Sequence, residues 1–353
     1  MNWEQRIIDD KELSAHVKDG SLDSLRARVA ALIEHQKASW PMLAGGYRAM
    51  AEVETRGFMV AESHIVVQHN PRRIRSTSAS VDRGSVAARG CFLCPESLPQ
   101  EEKGIACPGD FIILCNPFPV LDNHLSIVHR EHVPQSIEGN FERMLDLACD
   151  LGPEFFVLYN GPECGASAPD HLHFQACSRN LLPIYSDLGA EEEIKAEHCE
   201  YCELAASDGF ELFTLDNCGR AVIVYKGNRS EEISDWVYKT LEKLPPGAEH
   251  REPAFNIVCT YDRVAWTVFL FPRSRHRPAC FYAEGDARLL VSPGAIDMAG
   301  VIVVPERSHF ERIDAQVISK IYSEVSPDVE TINDLIRSMC ESQVVEGSLS
   351  GWS

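Results

Sequence analysis

A chain of 353 residues with 33 Lys and Arg against 53 Asp and Glu carries a formal charge of −20. That balance argues against a general electrostatic grip on nucleic acid or an anionic membrane, while leaving room for a small basic pocket around a phosphorylated ligand. The length and the 44% apolar content suit two domain-sized units of a globular protein. Thirteen scattered cysteines, an odd number, do not read as a disulfide framework. With no basic-then-apolar leader and no apolar run near the roughly 20 residues of a membrane span, the expectation is a cytoplasmic protein with reduced thiols.

In chain order, "SLDSLRARVAALIEHQ" offers Ser21 as an N-cap, with Leu22, Leu25, Val29, Leu32 and Ile33 at helical spacing. From Val66 to Gly90 the text is polar and basic and predicts an extended loop. "FIILC", "LSIV" and "FFVLY" predict strands, with a helix over "FERMLDLACDL" between the last two. "AEEEIKAEHCEYCELAASDG" reads as a charged connector. Beyond it, "FELFTL" and "AVIVY" predict a hairpin with Gly219 near the turn, followed by a helix through Ile233, Trp236, Val237, Leu241 and Leu244. "FNIVCTY", "WTVFLF", "RLLVS" and "VIVVP" predict further strands, and "QVISKIYSEV" and "TINDLIRSM" a helical C-terminal region. A weak internal repeat sets "NPFPVLDNHLSIVHREHVPQSIE" against "SPGAIDMAGVIVVPERSHFERID", so residues 105–180 and 255–315 are expected to share one topology.

Two motifs carry chemistry. In "YNGPECGASAPDHLHFQAC", a strand would aim His171, His173 and Gln175 to one face and Leu172, Phe174 and Ala176 to the other. The small residues ahead of it, Gly165 and Ser167 among them, would let a phosphate approach backbone N–H groups. The bland alternative is a pair of histidines on a solvated strand. Cys91 and Cys94 in "CFLC" stand at a spacing shared by metal sites, redox pairs and coincidence. Zinc would need two further ligands, and His124, His129, His132 and His171 are at hand. Cys199 and Cys202 form a second such pair with no evident histidine partners. Arg72, Arg73 and Arg75 in "NPRRIRSTSA" read either as a phosphate clamp or as a solvated basic loop.

Taken together, "CFLC…NPFP…HREHVPQ…YNG…GAS…HLHFQ" resembles the histidine triad superfamily, in its galactose-1-phosphate uridylyltransferase and nucleotide phosphorylase branch, well over residues 65–180 and more faintly beyond. The resemblance implies an α+β fold of two related halves, each an antiparallel sheet with helices, packed as one unit. It places the catalytic half at 65–190 and a degenerate half at 205–315, with helical regions at 1–64 and 316–353. It implies zinc on Cys91, Cys94, His132 and His171, no organic cofactor, His173 as covalent nucleophile, and Gln175 and Ser167 as phosphate partners. Asn160, Gly165 and the arginines would then bind substrate, and a homodimer is allowed. One departure stands out: Asp170 separates Pro169 from His171, where the uridylyltransferases run proline directly into histidine. The expected activity is nucleotidyl transfer or phosphorolysis on a nucleoside diphosphate sugar or dinucleoside polyphosphate, by way of a nucleotidyl-histidine. The rival is a nucleotide- or metal-binding regulatory protein without catalysis.

Overall fold

The computed structural model describes residues 2–17, 21–79, 83–179, 182–189, 205–207, 209–215, 217–248 and 252–349. Its centre is a ten-stranded sheet in the order β3-β4-β5-β7-β6-β11-β12-β10-β9-β8, every neighbouring pair antiparallel. The strands are β3 (Gly104–Cys107), β4 (Phe111–Cys115), β5 (Leu125–His129), β6 (Phe155–Asn160), β7 (His173–Ser178), β8 (Ala205–Ser207), β9 (Phe210–Thr214), β10 (Ile223–Gly227), β11 (Phe255–Tyr261) and β12 (Trp266–Pro272). A second sheet has the order β1-β2-β13, from β1 (Glu54–Val60), β2 (Ser63–His69) and β13 (Val301–Val304), with β13 parallel to β2.

The sheet is two copies of one unit. In each half the third and fourth strands flank a helix, Phe141–Leu151 in the first and Ser230–Lys243 in the second. In each, the fifth strand inserts between the third and the fourth, and the two fourth strands, β6 and β11, zip the halves together. The repeat is therefore real, but it matches residues 104–178 with 205–272, not with 255–315. The error has a physical source: "VIVVP" looks like a sheet strand because it is β-branched and fully buried, yet it joins the smaller sheet. Aligning the cross-sheet pair Asn160 and Asn256 places Phe271 where the first half has His173, and Arg273 where it has Gln175. The second half therefore lacks the imidazole.

Alternation along the strands divides the core. Phe155, Val157, Tyr159, Leu172, Phe174 and Ala176 pack with the helices Leu25–Ser39, Phe141–Leu151 and Ser230–Lys243 on one face. Phe156, Leu158 and Cys177 face the smaller sheet and the helices Ala295–Met298 and Ala315–Val325. The helix Phe141–Leu151 shows why: Phe141, Met144, Leu145 and Ala148 recur at a helical period, all fully buried.

Four local expectations need correction. Ser24, not Ser21, caps the first long helix, its hydroxyl accepting from Ala27 N–H, while Ser21 turns to Asp23. The stretch from Val66 to Gly90 is not one loop: Val66–His69 completes β2, whose Ile65 and Val67 are fully buried, and short helical turns follow at Pro71–Thr77 and Arg83–Ala87. "RLLVS" pairs with no strand among the described residues, although Leu289, Leu290 and Val291 are buried. The tail of the supposed connector, Ala205–Ser207, is the edge strand β8. Cys199 and Cys202 lie outside the described residues. Among the described residues no helix is long and apolar enough to cross a membrane.

Candidate functional site

The three segments that carry Cys91–Cys94, His132 and His171 converge at one end of the first half. Their ligand atoms all lie within 4.8 Å of one another. Cys91 Sγ is 3.3 Å from His171 Nδ1, and Cys94 Sγ is 3.2 Å from His132 Nδ1 and 3.5 Å from His171 Nδ1. A tetrahedral cation at ordinary zinc–sulfur and zinc–nitrogen lengths sets such atoms about 3.5 Å apart. The donor set fits such an ion. His171 Nε2–H donates to His129 O at 2.8 Å, which fixes the tautomer with Nδ1 facing the thiols. His132 Nε2 lies 3.4 Å from Asp170, a carboxylate behind the second imidazole. Burial pushes both thiols up, Cys94 to about 12, so that without a cation they would stay protonated.

The loop bearing the thiols is held by a residue with no sequence signature. Arg6 is 2% exposed and donates to the carbonyls of Pro95, Leu98, Pro99 and Glu102. Trp3 Nε1 donates to Arg130 O at 2.7 Å, tying the same N-terminal segment to the turn before His132. A lone arginine near a chain start gives no signal that could have flagged it.

β7 begins at His173, two residues later than expected, with His171 on the bend before it. The opposition of faces still holds, since Leu172, Phe174 and Ala176 enter the helix-side core. His173 is 4% exposed, and burial holds its imidazole down at about 4, so it is neutral at physiological pH. Its Nδ1–H donates to His171 O at 2.8 Å, and Nε2 takes no partner among the described residues. That is the tautomer of a nucleophilic imidazole.

Gln175 is oriented by a histidine that the sequence reading weighed only as a metal ligand. His124 Nδ1 accepts from Val120 N–H at 3.2 Å, so Nε2 carries the proton and donates to Gln175 Oε1 at 2.7 Å. The Gln175 amide N–H groups are thereby left for a ligand. Burial, and then the nearby Arg73 guanidinium, hold His124 down at about 3, which keeps this arrangement across physiological pH. Gln175→Ala is expected to fold normally and slow turnover by about 10- to 1000-fold, the scale for one lost transition-state donor. Steady-state kinetics on the variant checks this.

Of the three arginines only Arg73 turns inward, donating to Phe118 O at 3.0 Å; Arg72 and Arg75 are exposed. Asn160 is buried, and its Oδ1 accepts from Asn256 Nδ2 and Ala295 N, both at 2.8 Å, so it pins the halves together beside His173. Gly165 has φ +114°, and a Cβ there would sit 3.0 Å from Asn160 Oδ1 and from Gly294 Cα, so only glycine fits. Ser167 is held through its carbonyl, which accepts from Arg89 Nη2 at 2.5 Å.

A cavity of about 760 Å³ opens on the metal side, lined by Arg89, Cys91, His132, Gln135, Ser136 and Glu252 among others, but not by His173. Glu252 accepts from Tyr159 Oη and Ile137 N–H, yet burial pushes its carboxyl up to about 7. Since the folded state holds this proton more tightly than an unfolded chain does, stability should fall as pH rises from about 4.5 to 7, by roughly 3 kcal/mol from this group. Melting curves at pH 5 and 7.5 should differ less in Glu252→Gln than in the parent.

Residues 32–178 match a family described as a domain of unknown function (DUF4922), and residues 195–344 match the GDPGP1-like C-terminal domain. No curated protein matches the chain. Yeast Ap4A phosphorylase Apa2 in complex with AMP superposes with a TM-score of 0.53 at 15% identity, over 81% of this chain and 94% of that one. A second crystal structure of yeast Ap4A phosphorylase Apa2 gives 0.52 at 17% identity, over 81% and 93%. A uridylyltransferase mutant gives 0.41 at 11% identity, over 82% and 98%. The fold is therefore one that this chain shares with the yeast Ap4A phosphorylase.

Proposed function

We propose that this protein is a nucleotidyl transferase, of phosphorylase or uridylyltransferase type, acting on a nucleoside diphosphate sugar or dinucleoside polyphosphate through His173. The observation that carries the reading is the state of that imidazole: buried, neutral, with its Nδ1 proton committed to His171 O and its Nε2 lone pair unengaged. Nε2 attacks the α-phosphorus, an Nε2–P bond forms, and the P–O bond to the leaving phosphate breaks as that oxygen departs as an anion. The His171 carbonyl, already accepting from Nδ1–H, stabilises the positive charge that grows on the ring. Gln175 N–H groups and backbone amides of the 161–168 turn bind the phosphoryl oxygens. A phosphate oxygen of the acceptor then attacks the same phosphorus, and the Nε2–P bond breaks, restoring neutral His173. The fold shared with a yeast phosphorylase solved with AMP supports a nucleotide ligand.

Zinc on Cys91, Cys94, His132 and His171 would complete a closed four-ligand site, structural in kind because no coordination position stays open. It would fasten the thiol loop to the bend that aims His173. The regulatory alternative without catalysis is disfavoured by the intact set of His173, Gln175 and His124, which orients the Gln175 amide.

The test is to mix the protein with a panel of nucleoside diphosphate sugars and dinucleoside polyphosphates, without acceptor, and weigh it. A mass gain of one nucleotidyl group, lost on adding inorganic phosphate or a sugar phosphate, is expected. No gain with any donor, together with unaltered donors in solution, ends the reading.

A further inference from the structure

The pairing of β6 with β7 runs from Phe155 opposite Ser178 to Leu158 opposite Gln175 and stops there. Continued in register, the next rung on the inner side would set Asn160 against His173. That rung is missing, and the side chain of Gln135 occupies its place. Gln135 Oε1 accepts from His173 N–H at 2.8 Å, while Nε2–H groups donate to His173 O at 3.1 Å and to Asn160 O at 2.9 Å. One primary amide thus reproduces both hydrogen bonds that a neighbouring strand would make to His173, and it bridges to the strand it displaces. The side chain is 3% exposed, and its own backbone is fixed by Gln135 N–H donating to Pro169 O at 3.2 Å. Val133 O, two residues earlier, accepts from Leu172 N–H at 2.7 Å, so the segment 133–135 lies alongside 169–173.

We infer that Gln135 is a positioning residue for the nucleophile: it wedges β6 from β7 at the His173 rung and fixes the backbone from which the imidazole projects. This rests on the proposed role of His173. The physical reason for a side-chain amide here is spacing. A continuous ladder would bring Asn160 and His173 to the ordinary strand separation of roughly 4.7–4.9 Å and would leave no room for the Gln135 amide that lies between them. A glutamine inserted between them holds the two backbones apart while giving partners to the His173 N–H and C=O and to the Asn160 C=O. Only a group with a donor and an acceptor on one planar end can do this. Glutamate keeps the shape but loses the two donors, methionine keeps the length but loses both functions, and asparagine is one methylene too short.

The experiment compares the parent protein with Gln135→Glu, Gln135→Met and Gln135→Asn in single-turnover adduct formation at saturating donor, the donor being the one that labels the parent. Burst amplitude counts competent sites, so a variant that merely misfolds loses amplitude and not rate. The expected result is an amplitude near one per chain with a rate constant down about 100-fold, the scale for a nucleophile displaced by about 1 Å, a donor KM within about twofold of the parent, and metal content unchanged. Amide hydrogen exchange should speed up at His173 in Gln135→Met while the core of β7 stays protected. Parent-like rate constants in both Gln135→Glu and Gln135→Met overturn the inference, as does a loss of rate that merely tracks loss of metal. Failure of the parent itself to form an adduct would instead count against the proposed function, so the two failures are distinguishable.

Discussion

His173→Gly is expected to fold, to keep its metal and to lose turnover by about 10⁴-fold or more, the scale for deleting a covalent nucleophile. The reasoning starts from where the side chain sits. His173 is buried, but on the face of β7 opposite Phe174 and Ala176, which pack against the helices. Removing the imidazole therefore leaves the helix-side core untouched. The fold penalty is mainly that of glycine in a strand, about 1 kcal/mol, together with the single bond to His171 O. Its backbone rung is made by Gln135 through main-chain atoms, which glycine retains. Added imidazole should restore part of the transfer by entering the vacated niche, since the His171 carbonyl and Gln175 remain to orient it. In the parent, the adduct formed in the absence of acceptor should resist alkali and break down in mild acid, as expected for a phosphorus–nitrogen bond to imidazole. Recovery of the label on any other residue, or full turnover by the glycine variant, would overturn the assignment of the nucleophile.

The site was legible where chemistry repeats a pattern in a few consecutive letters. H-x-H-x-Q announces polar side chains at strand spacing, and C-x-x-C announces two thiols in chelating range; that the two segments meet at His171 was implied by the family resemblance and not by the spacing. Long periodic elements such as Phe141–Leu151 were equally plain, because every turn of the helix restates its buried face. What could not be read is what depends on distant segments meeting. Arg6, His124 and Gln135 act on loops and strands far along the chain, and each is a single letter whose meaning is a hydrogen-bond geometry. Among the basic residues, nothing in "NPRRIRST" tells Arg73, which turns in toward Phe118, from Arg72 and Arg75, which stay exposed; that choice is made by the helical turn over Pro71–Thr77. The repeat was misaligned for a related reason. Burial on both faces makes β13 look like any central strand, and only its partner, β2, reveals that it belongs to another sheet.

Metal analysis should find about one tightly held zinc per chain, and substitutions around it should separate into two grades. Cys91→Ser, Cys94→Ser and His171→Ala each remove a ligand, so metal is lost, the melting temperature drops and transfer fails with it. The coupling to activity follows from the chain itself: His171 offers Nδ1 to the thiols, and its carbonyl holds His173 Nδ1–H. Emptying the cluster frees the bend on which the nucleophile depends. Asp170→Asn belongs to the milder grade. Asp170 is the residue that interrupts the proline–histidine step, and its carboxylate faces His132 Nε2 at 3.4 Å, the nitrogen turned away from the thiols. A carboxylate there would fix the tautomer that points Nδ1 at Cys94. The amide should weaken zinc affinity by about 10- to 100-fold while leaving the melting temperature at saturating zinc close to that of the parent. Competition with a chromophoric chelator measures the affinity, and a melt with and without added zinc measures the linkage. Parent-like affinity in Asp170→Asn would show that the inserted aspartate serves only the turn. Unchanged metal content in Cys91→Ser and Cys94→Ser would place the zinc elsewhere in the chain.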